Sequence, residues 1–460
     1  MQRKAILHIG TEKTGTTTLQ VFMKTNRDLL LASGFRYPRF CGNVNQTGLA
    51  AYAMDDDRDD PLREHWGVRK PGDVEGFRRR FEAAADREIT GPETVILCNE
   101  HCHSRLRTPA EVGRLRDFLV RYFDDIRIVV YLRRQDQLAL SLYTTRLKSG
   151  GTSADVFPRT NSEDPFFNYD RSLTLWEEAF GRQNMTVKVF ERDALTEGSI
   201  IADVLATCGI GPANAFVPVN DCNESIMPKA QEFLRRINAH LSIPAGTPRE
   251  AYAGRLSAFL TTSFAGRGMK PSRADAEAFY AKFADSNRAV AARYFEGAQR
   301  LFSERFDGYP AAAETAQLSV EEAMEISARL YEGAQDEIRR LEAELEVRTA
   351  RIELLRGEVE KALQRMGRTA RVHSRHAPVF RMLGECQFRA DRVSEAAASA
   401  ERAVSLNPAA SEYWHFLGHV RAHTGDRSGA EEAQRKALAC DGANAAARAA
   451  LERLLATETP

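Results

Sequence analysis

"HIGTEKTGTTTLQ", residues 8–20, carries the two glycines of a nucleotide phosphate loop but has its lysine in an unusual place. The triphosphate pattern G-x-x-x-x-G-K-[ST] sets lysine directly after the second glycine. Here Gly10 and Gly15 keep the spacing, Thr16 holds the lysine position, and Lys13 comes two residues before Gly15. An apolar run, "AILHI" (5–9), precedes the loop. A helical stretch, "GTTTLQVFMKTNRDLLLAS", follows it and is expected to end near Gly34. A strand, a glycine turn and a helix start gather free backbone N–H groups at the positive end of a helix dipole, which binds an anion. Gly10 and Gly15 let the backbone turn tightly around it, Thr16, Thr17 and Thr18 add hydroxyl donors, and Lys13 reaches the group beyond the phosphate. His8, on a buried strand, is expected to be structural.

Working outward, "TVILC" (94–98), "IRIVVYL" (126–132) and "MTVKVF" (185–190) repeat the pattern of a short Val/Ile-rich run followed by a helical stretch. That alternation predicts a parallel sheet with helices on both faces. The expected fold is α/β, a P-loop-like three-layer sandwich with a central parallel sheet, over residues 1–310. Residues 55–73, "DDDRDDPLREHWGVRKPGD", read as an exposed insertion.

Past residue 310 the pattern is helical throughout. A heptad runs from 324 to 366 with Met324, Tyr331, Ile338, Leu345, Ile352, Val359 and Met366 at position a. Its d positions, Ser327, Ala334, Leu341, Arg348, Leu355 and Ala362, are weaker. A coiled coil over 319–368, roughly 60 Å long, is the expectation, and with it a homodimer. Residues 369–460 are expected to form a repeat domain. Within it, 377–442 repeat at a period of 34: Leu383-Gly384 recurs as Leu417-Gly418, Ala396 as Ala430, and Ala403 as Ala437. This resembles the tetratricopeptide repeat, which implies protein partners. "NAAARAALERLLA" (444–456) reads as a closing helix.

The chain of 460 residues has 64 basic and 64 acidic side chains and a formal net charge of zero. That balance argues against a nucleic-acid coat. No apolar run reaches about 18 residues, so no membrane span is expected. The apolar part of "MQRKAILHIG" is too short for a signal peptide. Cysteines 41, 98, 102, 208, 222, 386 and 440 are scattered, without zinc-cage spacing. Reduced thiols, a cytoplasmic location and no metal are the expectations.

The second motif is "VVYLRRQDQLALSLYTTRLKSG" (129–150), again a strand and a helix. Arg133 at the strand's end and Ser141 on the helix form a second phosphate site. "EKTGTT" and "LRRQDQLALSLY" together resemble the cofactor signature of sulfotransferases that use 3′-phosphoadenosine 5′-phosphosulfate (PAPS). The resemblance covers about residues 1–310. "FNYDRSLTLWEEAFGRQNMTVKVFERDAL" resembles the bacterial sulfotransferase-like branch. Glu12 replaces the family's proline, Arg134 and Gln135 replace Asp/Asn-Pro, and Leu138 replaces arginine. The resemblance implies that Lys13, Thr14, Gly15, Thr16, Thr17 and Thr18 hold the 5′-phosphosulfate and that Arg133 and Ser141 hold the 3′-phosphate. It implies transfer of a sulfuryl group from PAPS, without a metal, to an acceptor hydroxyl or amine on a carbohydrate or glycoconjugate. Lys13 is the candidate for stabilising charge on the leaving phosphate. The acceptor's base is expected at the end of "TVILCNEHCHSRL", among Glu100, His101 and His103. "AGRGMKPSRAD" (265–275) reads as a loop over the nucleotide. Two other readings stand beside this one: an ATP- or GTP-dependent phosphotransferase, and a non-catalytic scaffold that works through its repeats.

Overall fold

The computed structural model describes residues 2–220, 225–242, 249–314 and 316–456. The chain divides into two compact units, Met1–Ala323 and Met324–Pro460.

The first unit is built on five strands: β1 (Lys4–His8), β2 (Phe35–Arg36), β3 (Thr94–Cys98), β4 (Asp125–Leu132) and β5 (Met185–Val189). Their order in the sheet is β2-β3-β1-β4-β5, and every pairing is parallel. Side chains alternate between two apolar layers, as the period of a strand requires. Ala5, Leu7, Val95, Leu97, Ile126, Ile128 and Val130 face one core. Ile6, Ile96, Cys98, Val129 and Tyr131 face the other. A sheet buried on both faces explains why each strand reads as a near-continuous apolar run. The short edge strand β2 has no such run, and the sequence reading missed it.

β1 lies between β3 and β4. The chain leaves β1 at the point where the strand order reverses, where a parallel sheet of this kind opens a crevice outside its carboxyl ends. Helix α1 (Thr16–Thr25) follows β1, α2 (His101–Arg105) follows β3, and α3 (Gln135–Lys148) follows β4. The helical stretch after the loop is broken at Asn26 and continues as a short helix, Arg27–Ala32, which ends beside Gly34 as expected. The Asn26 amide donates to the Phe22 carbonyl and to Val217 O, each at 3.0 Å, and its carbonyl accepts from Val217 N.

The stretch 55–73 is not an exposed insertion throughout. Arg63 is 2% exposed. Its guanidinium donates to the carbonyls of Ala51, Met54 and Asp55 and so satisfies the end of a buried helical turn. The hydrogen bonds, invisible in the sequence, offset the cost of burying the charge.

The second unit begins inside a helix of 36 residues, α4 (Val320–Leu355). The expected continuous coil over 319–368 is interrupted. Glu358 N–H donates to Glu353 O and Gly357 N–H to Leu354 O, the pairing of a Schellman stop, with Gly357 at φ 77°. Val359 and Met366, assigned to the heptad, lie on α5 (Val359–Val372), which folds back. Arg365 ties it down, donating to Glu353 at 3.0 and 2.9 Å and to Glu346 at 2.8 Å. Then come α6 (Ala377–Arg389), α7 (Val393–Leu406), α8 (Ser411–His423), α9 (Arg427–Cys440) and the closing α10 (Ala445–Ala456).

The fold-back is a third repeat. Ala350, Gly384 and Gly418 are spaced by 34 residues, as are Ala362, Ala396 and Ala430. A Cβ on Gly384 would come within 2.9 Å of the Phe416 ring and 3.3 Å of the Ala396 carbonyl, so the small residue permits close packing. Ala350, Ala362 and Met366 share a core with Met382, Leu383 and Cys386. The tetratricopeptide-like region therefore holds three helix pairs, beginning within α4.

Candidate functional site

Above the carboxyl ends of β1 and β4 lies a cleft of about 930 Å³. Lys13, Gly15 and Thr18 line it from the loop, and Arg133, Ser141 and Lys148 from the end of β4 and from α3. The two sequence motifs, some 120 residues apart, thus meet in one space. Arg192, Arg267 and Lys270 complete the basic lining. Six cations face the cleft and, among the described residues, no carboxylate does. In a chain with zero net charge, this concentration of one sign focuses the field on an anion. Phe190, Leu195, Ile200, Ile201 and Val219 make an apolar wall.

The loop is held from outside. Thr11 N–H donates to Tyr131 O at 2.9 Å, and Arg133 Nη1 donates to Lys13 O at 2.5 Å. Gly15 caps α1 in the left-handed region, φ 75°, with Ile200 3.0 Å from where its Cβ would be. A side chain there would be strained and crowded. Burial, and then the nearby Arg133, lower the Lys13 pKa, while the carboxylates of Glu12 and Glu100 oppose the shift. The Arg133 Nε is buried and has no hydrogen-bond partner among the described residues.

The threonines divide. Thr14 is buried and its hydroxyl donates to Thr11 O at 2.7 Å, inside the loop. Thr16 is buried and Thr17 exposed, and neither lines the cleft. The residues at which the second motif departs from the resembling family serve the fold. Arg134, 2% exposed, pairs with Asp136 at 2.8 Å, donates to the carbonyls of Ser303 and Arg305, and stacks on Phe306. Gln135 bonds Asn287, and Leu138 is core. Tyr169 OH donates to the carbonyl of Arg133. From the stretch 265–275, Arg267, Gly268 and Lys270 reach the lining.

Glu100, His101 and His103 sit together at the end of β3 but do not line the cleft. Glu100 is buried; its Oε2 accepts from Gln20 at 2.5 Å and its Oε1 from Asn45 at 3.2 Å. His103 is buried against Phe166 and Tyr169, and burial lowers its pKa to about 4. His101 Nδ1 lies 3.4 Å from Glu12 Oε1. Glu12 is the residue that sequence reasoning passed over. Burial raises its pKa, but hydrogen bonds from His101 and Ser104 and the charges of His101 and Arg105 outweigh that and hold it at about 2. His8 is buried with Nδ1 3.1 Å from Cys98 Sγ, a structural place. Cys41, Cys98, Cys102, Cys208, Cys386 and Cys440 are free thiols, and Cys222 lies outside the described residues. Among the described residues no helix is long and apolar enough to cross a membrane.

No protein-family model matches the chain. A curated relative, an uncharacterized protein of Archaeoglobus fulgidus, is 31% identical over 121 residues, which is 25% of this chain and 32% of the relative. The chain thus spans about a third of the length of the curated relative it matches. Among solved structures, the TPR domain of Sgt2 from Aspergillus fumigatus is similar over 25% of this chain and 78% of that one, with 22% identity and TM-score 0.25. The Yersinia enterocolitica type III secretion translocator chaperone SycD is similar over 25% of this chain and 95% of that one, with 16% identity and TM-score 0.24. These are likenesses of helical repeats.

Proposed function

We propose that the first unit is a PAPS-dependent sulfotransferase that sulfates a hydroxyl or amine of a carbohydrate or glycoconjugate. The observation that carries this reading is the single cleft in which Lys13, Gly15 and Thr18 meet Arg133 and Ser141. A nucleotide with anionic groups at both ends of its ribose needs two separated cationic sites, and the two motifs supply them. The volume falls in the usual range for a small-molecule site. The orphaned Arg133 Nε and the absence of carboxylates from the lining, among the described residues, fit a polyanion. A triphosphate–magnesium site uses carboxylates to hold its metal, so the lining favours the phosphosulfate over ATP.

When bound, PAPS supplies an activated sulfuryl group. Around it the chain's own residues act on charge and position. Lys13 and the N–H groups at the start of α1 face charge that grows on the leaving phosphate. Arg133 and Ser141 orient the nucleotide through its 3′-phosphate, and the wall of Phe190, Ile200 and Val219 shelters its base. A base at the end of β3 takes the acceptor's proton.

The three helix pairs of the second unit support a second role, binding of a protein partner, and the exposed apolar side of α4 supports self-association. Calorimetric titration with 3′-phosphoadenosine 5′-phosphate (PAP), AMP and ATP–magnesium tests the catalytic reading. Micromolar binding of PAP with weak binding of the others is expected. Preference for ATP–magnesium would point to phosphoryl transfer, and no binding at all would leave the scaffold role alone.

A further inference from the structure

We propose that two copies of this chain pair along α4 in antiparallel orientation. The inference rests on the self-association reading above and goes beyond it by fixing the direction of the second helix.

The surface comes first. Met324, Tyr331, Ile338, Leu345 and Ile352 recur every seven residues along α4, and all five are exposed. Leu341 and Leu355, from the intervening positions, are exposed beside them. Side chains seven apart share one face of a helix, so these residues make a single apolar row. The fold-back leaves that row open. α5 packs on the side of α4 that carries Ala350 and Leu354, and Ala343 is buried on the same side. A step of two residues turns a helix by about 200°, so Ala343 and Ala350 lie opposite Leu345 and Ile352.

An apolar row is indifferent to direction, but charge is not. From 320 to 337, α4 carries Glu321, Glu322, Glu325, Glu332, Asp336 and Glu337 against one cation, Arg329. Of these, Glu322 is already paired with Lys229. From 338 to 351, Arg339, Arg340, Arg348 and Arg351 stand beside three glutamates. Parallel pairing lays the acidic half on its own copy, and like charges closer than a Debye length of about 10 Å repel. Antiparallel pairing lays the acidic half on the half that holds the arginines.

Arg348 bears most directly on the choice. It is exposed and stands on the row, three residues past Leu345 and seven past Leu341. In a parallel pair in register, its guanidinium meets the same guanidinium of the second copy inside the seam. In an antiparallel pair it meets the 324–331 stretch of the second copy, where Glu325 and Glu332 flank the row. Its stem lies along the apolar side chains while its head reaches those carboxylates.

The test uses the full-length chain with Cys222→Ser and Cys440→Ser, so that a spin label attaches to an added cysteine. The remaining thiols are buried. One variant adds Glu325→Cys and another Asp336→Cys, both off the row. Pulsed dipolar spectroscopy reads the distance between labels, and light scattering reads the mass. Antiparallel pairing puts the two labels at 325 on the order of 35–45 Å apart, from a rise of about 1.5 Å per residue, and the two at 336 within about 25 Å. Arg348→Glu should weaken the dimer ~10-fold by setting like charges together.

Short distances at both positions, with twice the chain mass, would mean parallel pairing and overturn the proposal. Twice the chain mass without coupling at 336 would place the contact elsewhere and overturn it too. So would a dissociation constant unchanged in Arg348→Glu, since the charges would then not set the direction. A parent of single-chain mass would defeat the self-association reading itself, and the proposal with it.

Discussion

Arg133 Nη1 donates to the backbone carbonyl of Lys13 at 2.5 Å, joining the end of β4 to the middle of the phosphate loop. Among the described residues its Nε has no partner. The guanidinium therefore has two tasks: one edge supports the loop, and the rest of the group lines the cleft. Lys13 is held by its backbone while its ammonium faces the cleft, close to Glu12, Glu100 and Arg133. A substitution at Arg133 therefore reaches the loop as well as its own motif, whereas one at Lys13 keeps the carbonyl that Arg133 holds.

That division predicts different defects for the two cations. Arg133→Gln removes a charge-assisted contact to the 3′-phosphate and should weaken PAP ~10- to 100-fold while weakening AMP less. Lys13→Ala should lower turnover ~100- to 1,000-fold, with PAP affinity changed only a few-fold. Calorimetry and single-turnover kinetics measure the two quantities. Equal losses for PAP and AMP in Arg133→Gln would remove the 3′-phosphate assignment.

Acid stability should report on Glu12. Its folded pKa of about 2 lies below the ordinary 4.5, despite burial, because of His101, Ser104 and Arg105. A carboxylate depressed in the folded state adds stability above its unfolded value, and the contribution is lost as pH falls through the folded one. The difference between parent and Glu12→Gln in urea unfolding should therefore be full above about pH 4.5 and close towards about pH 2. Its size is at most about 3 kcal/mol. A difference that stays constant across that window would mean the ion pair contributes nothing.

The strands were legible because a parallel sheet buried on both faces leaves continuous apolar runs, and the loop was legible because glycine spacing is local. What the sequence concealed was tertiary. Arg63 reads as a solvated charge until the carbonyls of Ala51, Met54 and Asp55 appear beside it. Glu12 read as a blemish in a motif, and its partner His101 comes 89 positions later. The third helix pair was hidden by a coincidence of period. Residues seven apart on a helix share a face, so Val359 and Met366 satisfied a heptad although Gly357 separates them from α4. The spacing of Ala350 and Ala362 from Gly384 and Ala396 was the available signal.

The third pair makes a prediction about fragments. Residues 369–460 were expected to form the repeat domain, with the coil or the closing helix covering its open end, and α6 packs Met382, Leu383 and Cys386 against Ala350, Leu354, Ala362 and Met366. Removing 319–368 exposes that face. A fragment spanning 324–460 should unfold cooperatively, and one spanning 369–460 should melt at least ~10 °C lower or not cooperatively, since losing several buried apolar contacts costs a few kcal/mol in a small domain. Circular dichroism melts of the two fragments decide the matter. Equal melting would return 343–372 to the status of a linker.

Self-association is the last expectation. Along α4, Met324, Tyr331, Ile338 and Leu345 remain exposed at seven-residue spacing, between 46% and 66% of each side chain's surface, with Leu341 beside them at 50%. Apolar side chains in such a row are covered when two copies of the helix pair along it. The Schellman stop after Leu355 limits the seam to the helix before it, and Arg348 at a d position weakens its far end, so the contact should centre on 324–345. Light scattering on the full-length protein should give twice the chain mass, and Ile338→Glu with Leu345→Glu should give the chain mass, with PAP binding unchanged. A parent that scatters as a single chain at micromolar concentration would end the dimer reading and leave the apolar row to another partner.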